Sequence, residues 1–473
     1  YIPKNINLVE NSVFYNCAKL GTVQFESDAA TTKLPNSTFS ECTNLTSVKL
    51  PTNLVTIGNS AFQNCNILTD VNFTELNTLT SIGDSAFEKC SSLSSLYVPA
   101  TVTYIGTKAF MNNTALSAVT FNSDTNLTVL QNFCFSGTTN LQTIRVPLSV
   151  TTINDYAFEN SGITSINISE LTNLTTIRNY AFRKTKLKNV MIPKAVTSIG
   201  TNAFSNIRGL ETFEWEAGTQ FRAFTQHMID DDDGYTVKIT IPATVTTLPN
   251  NAIGTANTIT FENGCALTSI GTNIISGVDY IYNLPLCQET VKEIISVDLG
   301  YAPRGVKGVT FAPNSTVKKI YDSFYYIEEF IEFPDSLEYW VCDRGTIVNG
   351  TKSYFKGTTL DLKNIKYVGP MKNNYTVYQN FDVISAYLYN APNLENFRAP
   401  ELTVLKGMYY TNNNAIDFKI NAPKLQYFEG GFDFQNPNML EYFPEGMIYV
   451  AGACSDILQN SNVIAYFPDT VEY

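Results

Sequence analysis

Apolar residues recur through the first half of this chain at a fixed period, and the period is locked to one phenylalanine. Phe14, Phe39, Phe62, Phe87, Phe110, Phe135, Phe158, Phe182 and Phe204 stand 25, 23, 25, 23, 25, 23, 24 and 22 residues apart. A unit of roughly 20–50 residues cannot bury its apolar face alone and stacks on its copies, so the pattern predicts a repeat solenoid. Six residues after the phenylalanine comes Leu20, Leu45, Leu68, Leu93, Leu116 or Leu141; three further on, Val23, Val48, Val71, Leu96, Val119 or Ile144; two beyond that, Phe25, Leu50, Phe73, Val98, Phe121 or Val146. The step of two predicts a strand whose apolar residues face the core while the residue between them faces solvent. Because the chain always returns the same way, successive strands are expected to be parallel. The positions flanking the middle apolar residue then line the exposed sheet: Ser47 and Lys49, Asp70 and Asn72, Ser95 and Tyr97, Thr143 and Arg145, Asn189 and Met191, Thr212 and Glu214. From these, Lys49, Asn72, Tyr97, Arg145, Met191 and Glu214 are the candidate ligand-facing residues.

Five residues before the phenylalanine is another apolar slot, often followed by glycine, as in Ile57-Gly58, Ile82-Gly83, Ile105-Gly106 and Ile199-Gly200. Glycine there is expected to supply a positive φ at a corner. A proline often closes the strand (Pro51, Pro99, Pro147, Pro193), where the missing N–H matters least. From the strand's last apolar slot to the next corner the distance is nine residues at Phe25 to Leu34, Phe73 to Ile82, Phe121 to Leu130 and Ile168 to Ile177, but seven at Leu50 to Ile57, Val98 to Ile105, Val146 to Ile153 and Ile192 to Ile199. This alternation implies a duplicated two-turn unit whose longer connections, carrying Glu26, Asp28, Glu75, Asp124 and Glu170, are expected to protrude as a periodic acidic edge.

The unit reads L-x-x-V-x-L-P-x-x-L-V-T-I-G-x-x-A-F-x-x-C from Leu45 to Cys65, and nine consecutive units carry it over residues 1–215. It resembles the BspA-like leucine-rich repeat family, the Phe-containing class common on surface proteins of gut and oral Bacteroidetes and of some parasitic protozoa. The resemblance implies a leucine-rich repeat solenoid with a parallel β-sheet on one face and short turns or helical segments on the other. It also implies a cell-surface or secreted adhesion protein binding a protein or glycan on a host or neighbouring microbe. Residues 216–285 read as an irregular loop with degenerate repeats, Ile253 and Ile275 taking the phenylalanine slot. Residues 286–473 read as divergent, Tyr-rich repeats continuing the same solenoid; their period survives in pieces at Leu394 to Gly407 and Ala422 to Gly430.

Only 16% of residues are charged and the net charge is -12, a composition suited to an extracellular surface and ill suited to nucleic acid, which needs a basic stripe to neutralise phosphate. No apolar run is long enough to span a membrane. The chain opens on Tyr1 and not Met, which fits a removed signal peptide and leaves room for a lipid anchor upstream. Ten Asn-x-Ser/Thr sequons matter only in a eukaryotic secretory pathway. Of nine cysteines, Cys17, Cys42, Cys65 and Cys90 each lie three residues after the phenylalanine, a slot that later turns fill with Asn113, Thr138 and Ser161. That replacement points to buried free thiols used in packing, with a disulfide or metal ladder as the alternative. The odd count and the absence of C-x-x-C speak against zinc and redox chemistry.

Catalysis finds little support: the single histidine, His227, has no ligand or triad partner by motif, and no cofactor or metal is expected. The run Asp230 to Asp233 before Gly234 has the wrong register for an EF-hand and reads as a solvated loop. Two surface features stand out. Arg178, Arg183, Lys184, Lys186, Lys188 and Lys194 form a basic band with no acid among them, expected to cluster on one edge as a candidate site for a sulfated glycan or acidic partner, a solvated face being the alternative. Tyrosines number seven in residues 1–240 and twenty in 241–473, and Tyr280, Tyr282, Tyr387 and Tyr389 mark a candidate aromatic surface; filling of a less regular core is the alternative. Two functions remain: a binding or adhesion module, and a passive spacer that presents another domain. An exposed aromatic or charged patch on the sheet favours the first, a uniform Ser/Thr surface the second.

Overall fold

The structure, a computed structural model, describes residues 1–26, 29–230, 237–254 and 256–265 and, from there to residue 451, chiefly the strands. Two compact units are present, residues 1–237 with 252–254, and residues 238–251 with 255–473.

The first unit is a parallel β-solenoid with three kinds of side. On the face, strands Thr22–Gln24, Ser47–Lys49 and Asp70–Val71 pair in parallel, with Val23, Val48 and Val71 in register. Ser95–Val98 pairs with Ala118–Phe121, Thr143–Ile144 with Ser165–Ile166, and Asn189–Ile192 with Thr212–Trp215. The pairing offsets are the sequence period. Burial alternates as the step of two requires: Val48, Val71, Leu96, Ile144 and Val190 are buried, while Lys49, Asp70, Ser95, Arg145 and Met191 are exposed. A one-residue slip would invert every one of these.

The second side carries short parallel strands at the apolar slot five before the phenylalanine: Lys33–Leu34, Thr56–Ile57, Ser81–Ile82 and Tyr104–Ile105 form one ladder, and Val129–Leu130, Thr152–Ile153, Thr176–Ile177 and Ser198–Ile199 another. The expected positive-φ glycine corner is absent here. Positive φ falls on Gly137, Gly209, Gly218 and Gly264, not on Gly58, Gly83, Gly106 or Gly200. What requires glycine is the approach of the preceding turn: a Cβ on Gly58 would lie 2.7 Å from Leu34 O, 2.7 Å from the Pro35 carbonyl carbon and 2.8 Å from Asn36 N.

The third side is the phenylalanine spine. From Phe14 to Phe204 consecutive rings stack with centroids 4.9 to 5.7 Å apart. The positive φ angles sit on non-glycine residues two before and two after the phenylalanine, as at Ser60 and Asn64, Ser85 and Lys89, Lys108 and Asn112. Alternation of right- and left-handed residues turns successive N–H groups to one side. Accordingly the N–H groups of Ser60, Phe62 and Asn64 all donate to the next turn, to the carbonyls of Asp84, Ala86 and Glu88 at 2.8, 2.8 and 2.9 Å. Three inter-turn bonds form where no β-ladder and no helix exists. Among the described residues the only helical segments are the 3-10 turns Phe73–Glu75 and Ile168–Glu170, and these follow face strands.

The second unit repeats the parallel theme. Lys238–Ile241, Thr258–Phe261, Tyr280–Leu284, Val306–Phe311 and Ile327–Glu332 pair in that order. Farther on, Phe397 stands opposite Ile420 and Leu405 opposite Phe428, both 23 residues apart, which is the offset read in the two degenerate sequence pieces.

Candidate functional site: a depression in the strand face

The site arises where the face sheet is interrupted. After Ile166 the chain leaves the strand and winds into the 3-10 turn Ile168–Glu170. Asn167 takes over the pairing: its Oδ1 accepts the Val146 N–H at 2.8 Å and its Nδ2 donates to Val146 O at 3.0 Å. Asn72 does the same to Leu50 two two-turn units earlier, at 2.8 and 3.1 Å, ahead of Phe73–Glu75. A primary amide copies the donor and acceptor of a peptide group, so the strand can end without leaving its neighbour's backbone unpaired. Pairing resumes only between Asn189–Ile192 and Thr212–Trp215.

The interruption opens a depression of about 270 Å³ lined by Ile166, Ile168, Ser169, Asn189, Val190, Met191, Thr212 and Glu214. Its floor is apolar, with Ile168 and Val190 each 3% exposed, and Met191, 38% exposed, forms one wall. Asn189 Oδ1 accepts the Thr212 hydroxyl at 2.8 Å. Glu214 is exposed and, among the described residues, makes no ion pair.

Of the six residues expected to face a ligand, four are engaged within the chain. Lys49 Nζ lies 3.8 Å from Glu75, and Asn72 is the strand-ending amide just described. The Tyr97 hydroxyl accepts from Asn122 Nδ2 at 3.0 Å, and both terminal nitrogens of Arg145 bond the Glu170 carboxylate. Met191 and Glu214 come together in the depression.

The basic band does not form one edge. Thr176–Ile177 precedes Arg178, the spine residue Phe182 precedes Lys184, and the face strand Asn189–Ile192 lies between Lys188 and Lys194, so the charges are spread around one turn. Neighbouring turns supply the acids that the linear stretch lacks: Arg183 meets Glu159 at 3.3 Å, Lys188 meets Glu211 at 3.3 Å and Lys194 meets Glu216 at 3.9 Å. Arg178, Lys184 and Lys186 stay exposed.

The periodic acids likewise fold back on the preceding turn. Glu26 accepts the Lys4 N–H and Glu216 the Lys194 N–H, both at 2.9 Å, while Glu75 and Glu170 meet Lys49 and Arg145. Asp124 bonds within its own loop, and Asp28 lies outside the described residues. Long and short connections differ in conformation. The long ones include both 3-10 turns, whereas the short ones close a proline turn, as in Leu54 N to Pro51 O at 3.1 Å and Val102 N to Pro99 O at 3.1 Å.

In the second unit the rings of Tyr280 and Tyr282 stack 6.2 Å apart, with Lys307 over Tyr280 at 5.9 Å. Tyr387 and Tyr389 belong to a strand paired with Val404–Thr411, and their side chains lie outside the described residues.

The cysteine ladder is built of free thiols with a polar task besides packing. Cys42, Cys65 and Cys90 each donate to the spine carbonyl one turn back, Phe14, Phe39 and Phe62, at 3.1 Å. Where threonine takes the slot, Thr138 and Thr185 bond the carbonyls of Phe135 and Phe182 at 2.7 and 2.8 Å. Burial, with the neighbouring Cys42 thiol, pushes Cys65 up to about 12, and burial raises Cys90 and Cys134 as well. Such thiols are poor nucleophiles and poor ligands. No group of three metal-ligating side chains occurs among the described residues, and no described helix is long and apolar enough to cross a membrane. His227 sits at a left-handed position with Nδ1 3.8 Å from Asp230, and residues 231–234 of the acidic run lie outside the described residues.

Two features escaped the sequence reading. Ile229 occupies the phenylalanine slot of a full turn inside the stretch taken as irregular: Phe204–Ser205 pairs with Ile229–Asp230, and Ile229 bridges to Ile253. Its spacing from Phe204 was the available signal. The second is an external ring ladder, Phe133, Tyr156 and Tyr180, stacked at 4.5 and 4.6 Å and flanked by Lys108 at 5.8 Å and Arg183 at 5.4 Å. These residues recur two before the spine phenylalanine, a column visible once the period is known.

Fold and face together define a leucine-rich repeat solenoid. The family description of a BspA type leucine-rich repeat region matches residues 1–117 and 113–228 with six copies, and this part of the chain belongs to that family. Among solved structures the chain is similar to a leucine-rich repeat protein from Bacteroides ovatus, at 16% identity over 98% of this chain and 92% of that one, with a TM-score of 0.40. It is similar to the pneumococcal vaccine antigen PcpA at 16% identity over 78% and 86%, TM-score 0.39. A leucine-rich cell surface protein from Faecalibacterium prausnitzii aligns at 20% identity over 77% and 82%, TM-score 0.31. No curated protein matches the chain.

Proposed function

We propose that the chain is a non-enzymatic binding protein, displayed at a cell surface or secreted, that engages a protein on a host or neighbouring cell through the strand face of its first unit. The observation carrying this reading is the depression beside Met191, where a buried apolar floor, an exposed methionine and a carboxylate without an ion pair among the described residues meet on the strand face. Methionine in an exposed wall is characteristic of adaptable recognition surfaces. A spacer needs no such feature. The low charge and the Thr- and Asn-rich surface support an extracellular setting.

Immobilised matrix proteins and a glycan array, probed with the purified chain and with a Met191→Asp variant, test this. Binding of a protein that the substitution abolishes is the expected result. Binding confined to glycans, or protein binding untouched by Met191→Asp, overturns the assignment to this face.

A further inference from the structure

The depression carries a narrower assignment, which rests on the reading that this face binds a protein: we propose that it receives one arginine side chain of the partner. Its floor, Ile168 and Val190, is sealed from water and apolar, so it suits a hydrocarbon stem. Its mouth holds one acid, Glu214, which has no cation among the described residues; beside it Asn189 Oδ1 accepts the Thr212 hydroxyl, and Ser169 adds a second hydroxyl to the lining. A sugar ring would find no aromatic face to lie on, because no aromatic side chain lines the depression. An acidic group would meet Glu214 in a chain of net charge -12. A basic side chain answers the apolar floor and the acid together: methylenes along Ile168 and the Met191 thioether, charge against Glu214. Arginine fits better than lysine because its weakly hydrated, planar head stays against apolar surface while making two bonds to one carboxylate.

Asp70, on the face strand Asp70–Val71, likewise makes no ion pair among the described residues, but Glu214 is the acid that lines the depression. Glu75 and Glu170 are engaged by Lys49 and Arg145, Glu211 by Lys188, and Glu26 and Glu216 by backbone N–H groups one turn back.

The chain labelled with 13C at its seven methionine methyls gives a direct reporter, with the Met191 signal assigned through Met191→Leu. The probe is N-acetyl-arginine N-methylamide, and the control is the citrulline analogue, which has the same shape without the charge. The arginine probe should shift the Met191 signal saturably and bind roughly two- to fivefold tighter than citrulline, the range of a solvent-accessible ion pair. Glu214→Gln should erase that preference while leaving the fold, read by circular dichroism, unchanged. Equal shifts from both probes, a preference that survives Glu214→Gln, or no shift at Met191 overturns the proposal. A partner found by the matrix-protein screen whose binding fails with Met191→Asp but withstands Glu214→Gln would remove the arginine and leave the face reading standing; one that withstands both would remove the face.

Discussion

Gly58→Ala separates two physical reasons for a repeated glycine. A Cβ at Gly58 would sit 2.7 to 2.8 Å from three backbone atoms of the preceding turn, and no side-chain rotation can move them away. Reaching an ordinary carbon contact of about 3.5 Å requires the turns to part there by about 0.7–0.8 Å. That opening stretches the Gly58 N to Leu34 O bond from 2.8 Å to about 3.5 Å, beyond useful hydrogen bonding. Losing one such bond costs about 1 kcal/mol, and overpacking costs about 1–3 kcal/mol. The entropy of the unfolded chain returns about 0.4–1 kcal/mol for alanine in place of glycine. The net expectation is a loss of about 1–3 kcal/mol, concentrated where residues 34–36 meet 58–59. Native-state hydrogen exchange on the Gly58 and Asn59 amides reads it, supported by urea unfolding. Gly58→Asn discriminates the rival account, because asparagine tolerates a left-handed backbone and would be the milder replacement if positive φ were the requirement. Alanine within about 0.5 kcal/mol of wild type, or asparagine milder than alanine, would refute the close-approach argument.

Phe87→Ala removes a ring stacked on Phe62 at 4.9 Å and Phe110 at 5.4 Å and should cost about 3–5 kcal/mol, with hydrogen-exchange protection lost in those adjoining turns and retained around Phe182. Cys65 should resist iodoacetamide until the chain unfolds; its folded pKa is raised from 9.0 to about 12, so its stabilising contribution is whole below about pH 9 and is lost as pH rises toward 12, because the unfolded thiol deprotonates first. The decline of the urea midpoint over that range should be shallower in Cys65→Thr. Tyr156→Ala and Tyr180→Ala should each destabilise and, combined in a double-mutant cycle, show a coupling of about 0.5–1.5 kcal/mol from the stacked pair, whereas additivity would make the external ladder incidental.

The period, the parallel face and its register were legible because burial imposes them on side chains: Val48, Val71 and Leu96 could be assigned inward from spacing alone. The glycine slot was misread because two different backbone demands select the same residue, and only the distance to the preceding turn tells them apart. The left-handed positions were invisible for the opposite reason. Ser60, Lys89, Tyr156 and Asn160 share a conformation but no chemistry, so no residue type marks it. The basic band failed as a patch because its partners, Glu159, Glu211 and Glu216, are one turn away in space and more than 20 residues away in sequence. The depression was half legible. Spacing placed Met191 and Glu214 outward, but the strand interruption depends on Asn167 replacing a backbone pair, as Asn72 does at Leu50, and an asparagine side chain in that role carries no signal in the apolar spacing.

The spine shows why these demands coexist. Each turn holds two residues at positive φ, and a non-glycine residue there costs about 1–2 kcal/mol. The conformation yields three inter-turn bonds, each contributing about 0.5–1.5 kcal/mol, so backbone terms alone come close to cancelling. What decides the balance is the phenylalanine between the two strained residues, fully buried from Phe39 to Phe204 and, from Phe39 to Phe182, stacked on both neighbours. A large buried apolar side chain therefore recurs in every described turn of this side, phenylalanine to Phe204 and then Ile229 and Ile253, whereas the residues around it are free to be Ser, Lys, Asn or Tyr. The strand face can therefore depart from the repeat at the Asn167 connection without loosening the spine that holds it.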